Sequence, residues 1–87
     1  MNHRTIAKAE LADFLRVART EAGLSQQALA RRVGVSRLAV VRWEMKADGQ
    51  IPQNTKLREL AAVLGVPIKE LAKLVIAARD AGSGRKE

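Results

Sequence analysis

Two serines that each precede a short amphipathic segment most constrain how this chain folds. Ser25 and Ser36 stand where a helix N-cap is expected, because a serine hydroxyl can accept from an otherwise unpaired N–H of the first turn. Only Gly34 and Val35 separate the first segment from the second cap, so the second helix must cross the first at a steep angle. Residues 25–44 are therefore predicted to form a helix, a tight turn and a second helix.

Apolar residues at helical spacing predict an all-α chain of five helices, and no strand pattern is found. The predicted helices cover about residues 9–22, 26–33, 37–45 and 55–64, and a fifth runs from Pro67 to about Arg79. Asn54 is the expected N-cap of the fourth helix. The glycines expected to end helices are Gly23, Gly34 and Gly65. We interpret residues 1–8 as a flexible arm, part of which could join the first helix from about Thr5, residues 9–79 as the domain, and residues 80–87 as a flexible tail.

The composition excludes several classes of function. With 87 residues, 47% of them apolar and 2% aromatic, the chain suits one small helical domain packed with aliphatic side chains. It has no cysteine and a single histidine, His3, and it lacks any catalytic constellation or phosphate-binding glycine loop. We therefore expect no enzyme activity, no metal and no cofactor. Because no apolar run reaches the length of a membrane span or signal peptide, we expect a cytoplasmic protein with no membrane partner.

The charge of the chain favours a polyanionic partner. Sixteen Lys and Arg residues against nine Asp and Glu residues give a net charge of +7, and a basic surface of this kind suits nucleic acid first. The alternative is that the charge only keeps the protein soluble. Its position favours nucleic acid, because the stretch from Leu24 to Ala47 has five basic residues and a single acid, Glu44.

The same stretch resembles the helix-turn-helix domains of the Cro and lambda-repressor type, also called XRE-like. The matching elements are Gly23-Leu24-Ser25-Gln26, Leu29-Ala30, Val33-Gly34 and Ser36 to Trp43-Glu44, and downstream Leu57, Leu60-Ala61 and Leu64-Gly65-Val66. The resemblance covers about residues 11–74 and implies a compact five-helix lambda-repressor-like fold in a sequence-specific regulator of transcription that binds double-stranded DNA. The chain departs from the family after Glu44, where residues 45–52 form a longer loop.

The second helix of the motif needs one face for the core and another for the major groove. With Val40 and Trp43 turned inward, the helical period turns outward Arg37, Leu38, Val41, Arg42 and Met45. In the family, base contacts come from the start of this helix and from one turn later, which implies contacts by Arg37, Leu38, Val41 and Arg42. Arginine suits guanine and aliphatic groups suit the thymine methyl. The alternative for Leu38 is that it packs sideways on a neighbouring helix.

Phosphate contacts are expected around the same motif. Gln26 opens the first motif helix, where free N–H groups and the helix dipole favour a phosphate. The candidates for phosphate contact are Ser25, Gln26, Ser36, Lys46, Arg31 and Arg32; for the last two the alternative is a solvated basic face. The resemblance also implies a partly buried ion pair between Arg19 and Glu44. The alternative is that Arg19 is a solvated charge at a helix end.

The last predicted helix is apolar over about half of its circumference or more. One groove in a small domain needs only a narrower stripe, so the surplus predicts a homodimer, with a thicker core contact as the alternative. The residues assigned to the dimer interface are Leu71, Leu74, Val75, Ile76 and Ala78. The function predicted is a small homodimeric repressor that reads an inverted repeat. The alternative is an antitoxin or other interaction module, in which the last helix binds a second protein partner.

Overall fold

Five α-helices follow one another along the chain, as the apolar spacing predicts. The structure is a computed structural model that describes residues 3–47 and 49–83. Within these ranges the elements are α1 (His3–Glu21), α2 (Gln26–Val33), α3 (Arg37–Trp43), α4 (Leu57–Leu64) and α5 (Ile68–Ser83), with a 3-10 turn over Asn54–Lys56. The described ranges contain no strand, so the predicted all-α class is confirmed. None of the described helices is long and apolar enough to cross a membrane.

An aliphatic core holds the five helices together. α1 packs along α5, α2 packs on α3 and α4, and α4 also contacts α5. The largest fully buried side chains are Leu11, Leu15, Leu29, Leu60, Leu71, Val33, Val40, Val75 and Pro52. Burial of each aliphatic side chain contributes roughly 1.5–3 kcal/mol. α3 joins this core through Val40 and Trp43, which leaves the opposite face of that short helix in solvent.

The turn between α2 and α3 forms as its local sequence signals predict. The Oγ atom of Ser25 accepts from the Ala28 N–H at 3.0 Å, and Ser36 Oγ accepts from the Ala39 N–H at 3.1 Å. Gly34 has a left-handed backbone with φ of 76°, a conformation that costs other residues more. The two predicted serine caps are confirmed, and each such cap contributes about 1 kcal/mol.

Several helix ends differ from the sequence prediction. α1 begins at His3, so the predicted arm is helical from that residue, and residues 1–2 lie outside the described part. α3 ends at Trp43, two residues early, and α5 continues to Ser83, beyond the predicted end at Arg79. The rest of the predicted tail, residues 84–87, and Asp48 of the predicted loop also lie outside the described residues.

Asn54 does not cap α4, contrary to the sequence prediction. It lies in the 3-10 turn before that helix, and its Oδ1 atom accepts from Arg79 Nη1 at 2.9 Å. The same guanidinium donates to the Pro52 carbonyl through Nη2 at 3.1 Å. The Asn54 oxygen that was expected to cap α4 therefore accepts from Arg79 of α5 instead.

The buried face of α5 corrects the predicted dimer interface. Leu71 and Val75 are fully buried and Ala78 is 2% exposed, because these residues pack inside the domain core. They therefore have no surface to offer to a second copy. Leu74 is half-buried and Ile76 is exposed; two positions along a helix turn through about 200°, so these two residues lie on different faces.

Candidate nucleic-acid interface

The outer face of α3 presents a mixed strip of basic and aliphatic side chains. Arg37, Leu38 and Arg42 are exposed, and Val41 is half-buried. Leu38 is 53% exposed and does not belong to the core cluster, which disfavours the alternative in which it packs sideways on a neighbouring helix. The four residues predicted to contact bases thus lie together on the solvent side of a two-turn helix.

The two arginines of this strip are available for a ligand. Among the described side chains, neither Arg37 nor Arg42 has an ion-pair partner. An arginine can donate two parallel hydrogen bonds to guanine O6 and N7, and an aliphatic group can contact the thymine methyl. A major groove about 12 Å wide admits one helix, so the strip has the chemistry and the size for reading base edges.

The start of α2 lies close to Glu44, the residue that follows α3. Ser25 Oγ is occupied as the cap acceptor, although its hydroxyl can still donate. The Gln26 amide is partly engaged inside the protein, because Nε2 donates to Glu44 Oε1 at 3.2 Å. A phosphate at this helix end would therefore meet first-turn N–H groups and only part of the Gln26 side chain.

Further basic side chains surround the motif. Arg31 and Arg32 in α2 are exposed and have no acidic partner among the described residues. Lys46 Nζ lies 3.6 Å from Asp13 Oδ1, with the lysine side chain 65% exposed. An exposed pair of this kind is worth at most about 1 kcal/mol, so Lys46 can leave Asp13 for a phosphate at small cost.

The structure brings Arg19 and Glu44 together in a bidentate ion pair. Arg19 Nε donates to Glu44 Oε2 at 2.7 Å and Nη2 donates to Oε1 at 3.0 Å. Nη1 of the same guanidinium donates to the Leu24 carbonyl at 2.8 Å. The side chains are only 12% and 5% exposed. This pair joins α1 to the residue that follows α3, behind the strip that faces solvent.

Lys8 is a residue of this region that the sequence analysis missed. It lies in the predicted arm, but it is 6% exposed. Its Nζ atom donates to the carbonyl of Trp43 at 3.0 Å, of Arg42 at 3.4 Å and of Met45. Burial lowers the pKa of the Lys8 ammonium below its ordinary value of 10.5.

One signal in the sequence could have identified Lys8. It lies three residues before Leu11 and seven before Leu15, so it shares the face of α1 that is buried in the core. A lysine at such a position must find acceptors inside the protein, because an unpaired buried charge is strongly disfavoured.

Comparison with known proteins agrees with this geometry. A family model described as Helix-turn-helix matches residues 15–71, which is more than half of the chain and includes α2, α3 and α4 entire. No solved structure matches the chain. Among the groups described above, Lys8 lies outside the matched residues, whereas Arg19, Glu44 and the strip on α3 lie within them.

Proposed function

This chain belongs to the XRE-type helix-turn-helix family, a family of DNA-binding regulators, and from that premise we propose that it recognises a specific double-stranded DNA sequence through α3. The observation that carries the proposal is the strip on α3. Arg37 and Arg42, which have no ion-pair partner among the described residues, lie beside Leu38 and Val41 on a helix whose other face packs in the core.

The proposed complex places α3 in the major groove and the rest of the motif on the DNA backbone. Arg37 and Arg42 read guanines, while Leu38 and Val41 contact thymine methyl groups. Arg31, Arg32, Lys46 and the start of α2, with Ser25 and Gln26, contact phosphates, as does Ser36 at the start of α3. Each bidentate arginine contact discriminates against a wrong base by about 1–3 kcal/mol, whereas the phosphate contacts add affinity without sequence preference.

We further propose that the protein acts as a homodimeric repressor in the cytoplasm. α3 has seven residues and is therefore about 10 Å long, so one copy reads only a few base pairs. A pair of copies would read an inverted repeat with half-sites about one DNA turn apart. A dimer that occupies such a site can block transcription by its presence alone.

The surface of α5 that supports dimerisation differs from the one first assigned. Ile68 and Ile76 are 44% and 53% exposed, and the half-buried Ala72 lies between them at a spacing of four residues. Such a row lies along one side of a helix. In an antiparallel pair, Ile68 of one copy would pack against Ile76 of the other, which makes the row self-complementary about a two-fold axis.

Selection of bound duplexes from random DNA tests the proposal. We expect an inverted repeat whose half-sites contain guanine and thymine. Arg42→Ala should lower the affinity for the selected sequence and relax the preference at one position of each half-site. Arg58→Ala, which removes an exposed arginine of α4, is the matched control and should leave the preference unchanged. Enrichment of no sequence by the wild-type protein would refute sequence-specific recognition.

A further inference from the structure

The carbonyl end of α3 forms a small cup that is filled by a side chain from α1. Three backbone carbonyls, those of Arg42, Trp43 and Met45, accept hydrogen bonds from the Lys8 ammonium. The loop after α3 then turns back, and the Gln50 N–H donates to the Arg42 carbonyl at 3.1 Å. The cup is therefore built from the last turn of α3 and from the loop that follows it.

Gly49 lets the loop approach the cup this closely. A Cβ atom at this position would lie 2.2 Å from the Arg42 carbonyl oxygen and 3.1 Å from Lys8 Nζ. The first distance is too short for any real contact, so a side chain here would force the loop away from α3. Gly49 thus lies against the end of α3 and beside the Lys8 ammonium.

We propose that Lys8 is a positioning residue for DNA recognition, which sets the orientation of α3 by holding its carbonyl end; this inference rests on the function proposed above. The last carbonyls of a helix lack partners inside the helix, and the negative end of its dipole favours a cation. The Lys8 ammonium supplies both the hydrogen bonds and the charge.

Lys8 acts together with the pair between Arg19 and Glu44. Lys8 and Arg19 lie eleven residues apart on one face of α1, which is about three turns or 16 Å. Both side chains reach the end of α3, Lys8 at its carbonyls and Arg19 at Glu44. Both attachments lie at the carbonyl end of α3, whereas Val40 and Trp43 anchor its inner face in the core. Contacts at both places hold the outer strip at one angle to the domain.

Lys8 cannot act as an ordinary phosphate contact, since its side chain is buried and its ammonium is occupied by three carbonyls. The positioning role therefore predicts a distinctive defect. Loss of the ammonium should lower the affinity for the selected duplex and spare the affinity for unrelated DNA, because phosphate contacts tolerate a small change in helix angle better than base contacts do.

The experiment compares Lys8→Met with Lys69→Met, which removes an exposed lysine of α5, on the selected duplex and on an unrelated duplex at several salt concentrations. Lys8→Met should bind the selected duplex about tenfold more weakly, equivalent to about 1.4 kcal/mol, with unchanged binding to the unrelated duplex and an unchanged salt slope. Loss of a phosphate contact would instead weaken both duplexes and reduce the slope by about one. A Lys8→Met variant that keeps the wild-type discrimination would overturn the proposal.

Chemical rescue separates lost hydrogen bonds from general damage. Lys8→Ala removes the atoms of a propylammonium ion, so added propylammonium should restore part of the discrimination at constant ionic strength. Tetramethylammonium has the charge but no N–H group and should not. If both ions restore discrimination equally, or neither does, hydrogen bonds to the three carbonyls are not what Lys8 supplies, and the proposal is contradicted. Should Lys8→Ala fail to fold, Gly49→Ala disturbs the same cup from the loop side and should cause the same selective loss; wild-type discrimination in a folded Gly49→Ala variant would count against the proposal.

Amide hydrogen exchange gives a readout that does not depend on DNA. In Lys8→Met, exchange should accelerate in α3 and remain as in Lys69→Met in α2 and α4. Unchanged exchange in α3 would refute the attachment itself. The exchange result also separates the two proposals. If the wild-type protein selects no DNA sequence but exchange in α3 is faster in Lys8→Met, the proposed function is refuted while the attachment of α3 by Lys8 is supported.

Discussion

Replacing Glu44 by glutamine tests how strongly α1 holds the end of α3. The Glu44 carboxylate is 5% exposed and accepts from Arg19 at 2.7 and 3.0 Å and from Gln26 at 3.2 Å. Glutamine has nearly the same shape but leaves the Arg19 guanidinium, 12% exposed, without a counter-charge. Removal of one partner of a buried pair costs about 3–5 kcal/mol.

The free energy of unfolding that Glu44→Gln removes should lie at or below the lower end of this range of about 3–5 kcal/mol. Arg19 keeps its hydrogen bond to the Leu24 carbonyl, and glutamine still provides one acceptor oxygen. We therefore expect the free energy of unfolding to fall by about 2–3 kcal/mol. The total free energy of unfolding of a domain of this size is roughly 4–13 kcal/mol, so this loss is a large share of it. The midpoint of thermal unfolding should fall by about 10–20 °C.

Urea denaturation followed by circular dichroism measures this change, and a double-mutant cycle assigns it to the pair. Arg19→Met should be destabilising by a similar amount, and the double variant should be less destabilised than the sum of the two single variants by at least about 1 kcal/mol. Asp13→Asn is the control, since it removes only exposed pairs with Arg16 and Lys46 and should cost less than about 1 kcal/mol. Additive effects of the two single variants would refute the reasoning.

Three further predictions concern the caps, the buried lysine and the dimer. Ser36→Ala should lower the free energy of unfolding by about 1 kcal/mol, because the Ala39 N–H loses its acceptor. Urea denaturation measures this change, and Thr55→Ala, at an exposed position of the 3-10 turn, is the control. Burial lowers the pKa of Lys8, so the unfolded chain binds that proton more tightly than the folded one, and stability should rise as pH increases from the folded pKa towards 10.5. Denaturation across this pH range should show a shallower rise in Lys8→Met, and a titration of the Lys8 Cε resonance by NMR should give a midpoint below 10.5; equal slopes in both proteins would contradict the prediction. Ile76→Glu should place two carboxylates in the proposed dimer contact and give a monomer in sedimentation experiments, whereas Val17→Glu, on the exposed side of α1, should sediment as the wild type does.

The sequence predicted best those features whose causes lie within a few residues of one another. The two serine caps and the left-handed Gly34 are decided by neighbouring N–H and carbonyl groups, so their signals are local. The inward position of Val40 and Trp43 follows from the period of the helix alone. These features are sufficient to predict the turn and the strip on the outer face of α3.

The sequence predicted poorly those features that depend on partners far along the chain. Lys8 has its acceptors 34 to 37 residues away, so its spacing to Leu11 could indicate burial but not which carbonyls it would contact. Asn54 accepts from Arg79, 25 residues away, and a local cap was predicted instead. On α5, periodicity indicated an apolar face, but it could not show that the domain core buries Leu71 and leaves Ile76 exposed.

The shortness of α3 explains why its attachments lie apart from its recognition strip. A helix of seven residues is far below the roughly 12–15 residues at which isolated helices become even marginally stable in water, so its conformation must come from contacts with the rest of the domain. Those contacts use the first N–H groups, the inner face and the carbonyl end, through Ser36, Val40, Trp43 and Lys8. None of them uses the outer strip.

Substitutions in that strip should therefore separate recognition from stability. Arg37, Leu38 and Arg42 are exposed, and exposed substitutions away from special contacts usually change the free energy of unfolding by no more than about 0.5 kcal/mol. Arg37→Gln should shift the preferred base from guanine towards adenine, because the glutamine amide pairs with adenine N6 and N7, while the urea midpoint stays near that of the wild type. A variant that loses both stability and DNA preference would show that the outer strip also supports the fold, and would contradict this division of α3 into a structural face and a reading face.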